Sequence, residues 1–314
     1  MRANRRSQGV VAALASALFM GAMPIFGKQA FMLGFSPLAV VALRSTIATI
    51  LMLGMMNFQR QFFYIYPVGL LGCLIAGVLN GVGSIFYYTA LSRLDASVGH
   101  LIYSFYPLFV ALWLWLDRQQ ISRVTLVRLM LALPGIYLLI RTGHDPVDLG
   151  GTFMMLLAAL FYALHLIINQ RILYEAPTPT VTFYTLLAMA LTVGVAFLVA
   201  HPSLPAFTLS WWPVVGMAGI TFLSRLTLFL GVKNLGGLQT ALLGLSELLV
   251  TVFLAQVWLG ERLSLAQWTG AFLISSSMLL IAMDQAAPEQ RTNSGWLRWL
   301  NPPHLPEIDF PWQR

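Results

Sequence analysis

Glu247 is the one carboxylate that falls inside a long apolar run of this chain, LQTALLGLSELLVTVFLAQVWLG at 238–260. A charge in the hydrocarbon of a bilayer costs about 2.5–3.5 kcal/mol even on lenient insertion scales, so such a group faces protein or water and has a partner. Arg225, inside the preceding apolar run, is the expected partner, and a polar centre near the two is the expected heart of the molecule. Glu247 can anchor an ammonium or carry a proton, or it can be half of a structural ion pair that locks two helices. Arg225 can grip a carboxylate through two parallel hydrogen bonds, or it can only neutralise Glu247.

Other polar side chains recur at helical spacing. Asn80, Ser84 and Tyr87 fall on one face of a helix, as do His165 and Asn169. His100 and Tyr103 (or Ser104) line the segment that carries Pro107, and Ser246 adjoins Glu247. Each alone is explained as interhelical glue worth about 0.6 kcal/mol. Together Asn80, Ser84, Tyr87, His100, Tyr103, His165, Asn169, Arg225, Ser246 and Glu247 describe a wet, aromatic-rimmed binding cavity, with Glu247 as the candidate coupling group. Pro24 and Pro107 are assigned structural or gating roles, since prolines inside apolar helices free carbonyls and make hinges. His100 and His165 have no His or Glu companion at helical spacing and no cysteine cluster, so no metal and no cofactor is expected.

The elements that hold these residues are membrane spans. The chain is 58% hydrophobic and 9% charged, against about 25% charge in soluble domains. The net charge of +7 comes without a basic cluster on a soluble segment, so nucleic acid is excluded as a partner. The expected partners are the lipid bilayer and a small-molecule substrate, with the protein a monomer or homodimer. The lone Cys73 excludes an intrachain disulfide. Ten apolar segments are expected, at 9–28, 37–57, 67–91, 96–116, 123–141, 150–170, 179–200, 211–233, 238–258 and 265–283. MRANRR and the run after it look like a secretory leader, but the run continues to Phe26 and nine more follow, so a retained first helix is expected.

The second half repeats the first. Ala17-Leu18-Phe19 recurs as Ala159-Leu160-Phe161, Pro37 as Pro179, and Ala76-Gly77 as Ala218-Gly219, at one fixed offset. With one residue deleted, Leu138-Leu139-Ile140 matches Leu279-Leu280-Ile281, and Tyr106 matches Glu247. Five spans per half force the halves to face opposite ways. The fold expected is therefore an all-α polytopic membrane protein of ten transmembrane helices in two inverted five-helix repeats. The repeats occupy 9–141 and 150–284, joined by a loop at 142–149, with an N-terminal segment at 1–8 and a Pro-rich tail at 285–314 expected to be disordered. Within the tail, Trp296, Leu297, Trp299 and Leu300 suit one short interfacial turn. Arg2, Arg5, Arg6, Arg60, Arg118, Arg123, Arg171 and Lys233 outweigh Lys28, Arg93, Arg141 and Arg262 on the other side. The excess puts both termini in the cytoplasm of a cell (inner) membrane.

Four stretches carry a family resemblance: ALFMGAMPIFGKQA (17–30), SPLAVVALRSTIATILML (36–53) with Arg44, YYTALSRLDASVGHLIYSFYPLFVALWLWL (87–116), and ALLGLSELLVTVFLAQVWLGERLSLAQWTGAFLI (241–274) with Gly260-Glu261-Arg262-Leu263. The sequence resembles the EamA-type members of the drug/metabolite transporter superfamily. It departs from them with Leu248 where a proline often follows the ninth-helix glutamate, with Asp117-Arg118-Gln119 in place of a first-half Gly-Glu loop, and with Arg225 where the first half has Gly83. The resemblance implies a secondary transporter, export rather than import, and a structural or gating role for Arg44. The leading reading is alternating-access movement of a small amino-acid-like metabolite, either proton-coupled or by facilitated diffusion. Efflux of lipophilic cations is the alternative within transport, favoured by Glu247 and the aromatic residues and opposed by Arg225 and Arg44. A membrane-embedded enzyme or a non-transporting scaffold is the alternative of another class. No catalytic constellation and no GxxxxGK[ST] sequence is present to support an enzyme or ATP-driven pump.

Overall fold

In the computed structural model, residues 2–60, 63–94, 96–118, 121, 123–140, 148–202, 204–205, 211–259, 265–280 and 295–300 are described. The loop at 142–147, Gly260-Glu261-Arg262-Leu263 and the tail at 285–294 and 301–314 lie outside them. The described residues form helices and no strand. They comprise α1 (Arg2–Met32), α2 (Pro37–Phe58), α3 (Pro67–Arg93), α4 (Ala96–Tyr103), α5 (Tyr106–Leu116), α6 (Arg123–Ile140), α7 (Leu149–Leu173), α8 (Thr178–Ala200), α9 (Trp212–Leu235), α10 (Gly237–Gly244), α11 (Ser246–Leu259) and α12 (Leu265–Leu279). One 3-10 turn, Trp296–Leu300, follows.

Seven helices are long and apolar enough to cross a bilayer when α10 and α11 are counted as one span. With α4 and α5 read as one crossing and with the shorter α6 and α12, ten crossings result. Helix starts follow local chemistry. Ser36 accepts the Ala39 N–H at 3.2 Å in front of Pro37, and Asp148 accepts the Gly150 N–H at 3.0 Å. α1 starts at Arg2, earlier than the apolar run, and continues through Pro24. The helix surfaces turned away from the core carry large apolar side chains such as Leu198, Val199 and Phe253, as a lipid-facing surface requires.

Packing follows the two-fold relation between the halves. α1 packs most extensively on α9, and its repeat mate α7 packs on α3. α2 meets its own mate α8, and α6 meets α12. First helices therefore pack against third helices of the opposite half, which is what an inverted repeat produces around a central pseudo-axis. Small residues let the pairs approach. A Cβ on Gly77 would meet Ala188 and the Thr185 carbonyl of α8, and one on Gly21 would meet the Glu247 carbonyl of α11 at 2.6 Å.

Two spans expected to be continuous are broken. The fourth breaks at Ser104–Phe105 and the ninth at Leu245. These are the same place in the two repeats, so Tyr106 and Glu247 each stand in the first turn of a helix that starts inside the bundle. At the second break the Leu245 N–H turns back to the Leu242 carbonyl at 3.4 Å, and the Ala241 carbonyl accepts the Tyr106 hydroxyl at 2.9 Å instead. Gly244 must be glycine here, because any Cβ would collide with that hydroxyl. The breaks are thus stapled to each other at the pseudo-axis. Length and hydropathy do not mark them, because each pair of short helices still adds up to one mostly apolar span.

Candidate functional site

A small cavity lies between the halves, against the broken helices. It is lined by Met20 and Met23 of α1, Arg44 of α2, Asn80, Gly83, Ser84, Tyr87 and Tyr88 of α3, Tyr103 of α4, Ala158 and Tyr162 of α7, Arg225 of α9 and Glu247 of α11. All its lining residues stand near the middle of their spans or toward the face opposite the termini. On the termini side, His165, Asn169, Gln170 and Arg171 of α7 are buried in packed protein.

Arg225 and Glu247 share the cavity wall but do not form the ion pair expected from sequence. Arg225, 5% exposed, donates through Nη2 to Asn80 Oδ1 at 3.1 Å and through Nη1 to His165 Nε2 at 3.4 Å. Its guanidinium stands 5.6 Å over the Tyr162 ring. The Nδ1 of His165 lies 2.9 Å from the Tyr162 carbonyl, which can only accept. The proton is therefore on Nδ1, and Nε2 is left to accept from Arg225. Glu247, 4% exposed, meets His100 Nε2 at 3.2 Å, and His100 Nδ1 lies 3.1 Å from the Tyr87 hydroxyl. Each charge found a neutral polar partner on another helix, so the acid and the base remain separate.

Arg44, placed by sequence among structural or gating residues, also lines the cavity. Its Nη1 donates to Thr221 Oγ1 at 3.0 Å, and its guanidinium lies 4.8 Å over Tyr88. Among the described residues no carboxylate lies within ion-pairing distance of Arg44 or Arg225, and the buried Nε of each has no hydrogen-bond partner. The cavity therefore presents two guanidiniums and one carboxylate, held on different helices by neutral groups.

Of the ten residues expected to bind substrate, Asn80, Ser84, Tyr87, Tyr103, Arg225 and Glu247 line the cavity. His100 and His165 stand one layer behind, bonded to Glu247 and Arg225. Asn169 lies farther toward the termini, where Thr185 donates to its Oδ1 at 3.0 Å and it donates to the His165 carbonyl at 2.8 Å. Ser246 bonds back to the Leu243 carbonyl at 2.8 Å and does not line the cavity. Both are displaced for one reason, since a hydroxyl or amide inside an apolar helix satisfies itself on its own backbone first. Pro107 restarts the helix at α5, while Pro24 stays within α1. The sequence reading missed Tyr88, Tyr162, Met20 and Met23. Tyr162 was within reach, because Ala158, Tyr162, His165 and Asn169 form one helical stripe.

A polytopic bundle of two inverted halves around a charged central cavity is the build of a membrane transporter for a small substrate, and the comparisons with known proteins agree. The profile of the EamA-like transporter family matches residues 7–141 and again 149–283, so the chain belongs to that family. It is similar to the uncharacterized transporter sll1319 of Synechocystis sp., with 22% identity over 235 residues that cover 71% of this chain and 69% of that protein. A solved crystal structure superposes with a TM-score of 0.69 at 18% identity, covering 88% of this chain and 97% of the other, which shows the shared fold.

Proposed function

We propose that this transporter moves a small amino-acid-like metabolite by alternating access and that proton movement through Glu247 is coupled to it. The observation that carries the reading is the charge arrangement of the cavity. Two guanidiniums without a carboxylate partner share the cavity wall with one carboxylate. Buried unpaired cations are costly, and a substrate carboxylate on Arg225 or Arg44 would offset that cost. A substrate ammonium would find Glu247 and the faces of Tyr87, Tyr103 and Tyr162. Efflux of lipophilic cations is disfavoured, because the same two guanidiniums would repel them.

Glu247, His100 and Tyr87 form a chain with one hydrogen-bond arrangement for each protonation state of Glu247. With Glu247 ionised, His100 donates to it from Nε2 and accepts the Tyr87 hydroxyl at Nδ1. With Glu247 protonated, its hydroxyl donates to Nε2 and the Nδ1–H turns to the Tyr87 oxygen. Both arrangements keep the two ring nitrogens of His100 bonded, so Glu247 can gain or lose a proton without orphaning that imidazole. The cavity lies toward the face away from the termini, which with cytoplasmic termini is the outer face of the cell membrane.

A ligand-stabilisation screen of the purified protein tests the substrate class, using amino acids, amines, nucleobases and cationic dyes. Amino acids are expected to raise the melting temperature, and their methyl esters, lacking the carboxylate charge, are expected to fail. Stabilisation by dyes alone would favour cation efflux and sink the proposal.

A further inference from the structure

The turn Trp296–Leu300 lies beyond both repeats, and the transport reading does not use it. Leu297 and Leu300 are fully buried, whereas Trp296 and Trp299 are about two-fifths exposed. The two leucines pack into protein rather than lying at the headgroups, and the turn packs on α3 and α7. Leu300 and Ile172 of α7 close over Gly72 of α3, where even a Cβ would meet both. Tyr66 at the start of α3 donates to the Leu300 carbonyl at 3.3 Å, and the Trp296 ring stands 5.9 Å from Trp113 of α5. The Leu297 N–H donates to Asp117 Oδ1 at 3.1 Å. Gly295 makes the approach at φ +99°, where a side chain would strike Asp117.

Asp117 caps α5 in the first half, and its other oxygen accepts from Arg171 in the last turn of α7 in the second half. Both side chains are out of water, 0% and 2% exposed. Sequence had placed Arg171 among solvated loop cations; it is instead half of a buried bridge between the repeats. The turn thus grips helix ends from both halves and covers the ion pair that joins them. It does so at the termini face, opposite the half toward which the cavity lies.

We infer that Trp296–Leu300 is a latch that holds the termini face shut, and that this face opens only when the turn lifts off. The inference rests on the alternating-access reading, because only a cycle that opens both faces requires release. Release would expose the Asp117–Arg171 pair to water, which lowers the cost of separating its charges. The latch therefore sets how often the termini face opens, and a tail ligand or modification has a direct route to transport rate.

Cys73 is the only cysteine of the chain, is fully buried, and adjoins Gly72 beneath the latch. Its alkylation by N-ethylmaleimide in the full-length protein, reconstituted in lipid vesicles, reports opening of that seam without needing a substrate. Leu297→Asp is expected to speed the alkylation roughly tenfold or more, since it puts a charge where a buried leucine closed the seam. An unchanged rate overturns the latch. A second variant covers the chance that Leu297→Asp loosens the whole fold. Trp113→Cys with Trp296→Cys, on Cys73→Ser, is bridged by a short reducible bifunctional thiol reagent. Amino-acid exchange is expected to fall at least about tenfold when bridged and to return on reduction. Exchange at the same rate in bridged and reduced protein overturns the latch. If the reduced protein moves no amino acid, the transport reading fails, while the Cys73 rates still decide whether the turn closes the seam.

Discussion

Replacing Glu247 by Gln keeps the shape of the side chain and one hydrogen bond to His100, but removes the proton site. Among the described residues Glu247 is the only carboxylate lining the cavity, so the proposed coupling carries one proton per cycle. One proton per substrate molecule allows at most about tenfold accumulation per unit of pH gradient, the equivalent of about 1.4 kcal/mol. In proteoliposomes with a one-unit gradient, the unmodified protein is expected to approach that tenfold ratio. Glu247→Gln is expected to equilibrate substrate to a ratio near one while still exchanging labelled for unlabelled substrate. The fold should survive, because a neutral hydrogen bond replaces a charge-assisted one at a cost on the order of 1 kcal/mol. The control is substrate exchange with equal pH on both sides, which needs the cavity and not the proton. Gradient-driven accumulation by Glu247→Gln at the unmodified level would refute the coupling role.

Arg225→Met should weaken carboxylate binding by about 10–100-fold, the loss expected for one charge-assisted contact, as read by calorimetric titration. A double-mutant cycle of Arg225→Met with Glu247→Gln on melting temperature should be close to additive, because their contacts are with Asn80, His165 and His100 rather than with each other. Asp117→Asn should destabilise the protein by about 3–5 kcal/mol, since it removes one charge of a buried ion pair, as read by denaturation in detergent. Cysteines placed at Arg118 and at Asp148 should label from opposite sides of the membrane, the first from the cytoplasm; labelling of both from one side would overturn the topology.

The class of fold was legible because lipid imposes strong rules. Apolar runs of about 20 residues, an odd number per half, and matches at one offset leave few architectures. The polar centre was legible for the same reason: a carboxylate and an arginine inside apolar runs are expensive and so must converge. What they bond to was not legible. Arg225 took Asn80 and His165 and left Glu247 to His100, a choice set by helix rotation within an inverted pair, to which the spacing of charges is blind. The helix breaks were half legible: Pro107 signals the restart of the fourth span, whereas the break at Leu245 has no proline and shows itself through the Tyr106 staple across the axis. Asn169 and Ser246 show the opposite error, polar residues that look functional in sequence and are spent on local backbone.

The central claim is that the cavity moves small zwitterions and uses the Arg225 guanidinium to hold them. The most direct measurement is flux of labelled amino acids through purified protein in proteoliposomes, compared with their methyl esters and with a lipophilic cation. Saturable amino-acid flux that Arg225→Met cuts at least about tenfold, with esters and cation excluded, is the predicted result. Flux of the lipophilic cation alone, or amino-acid flux indifferent to Arg225→Met, would contradict it.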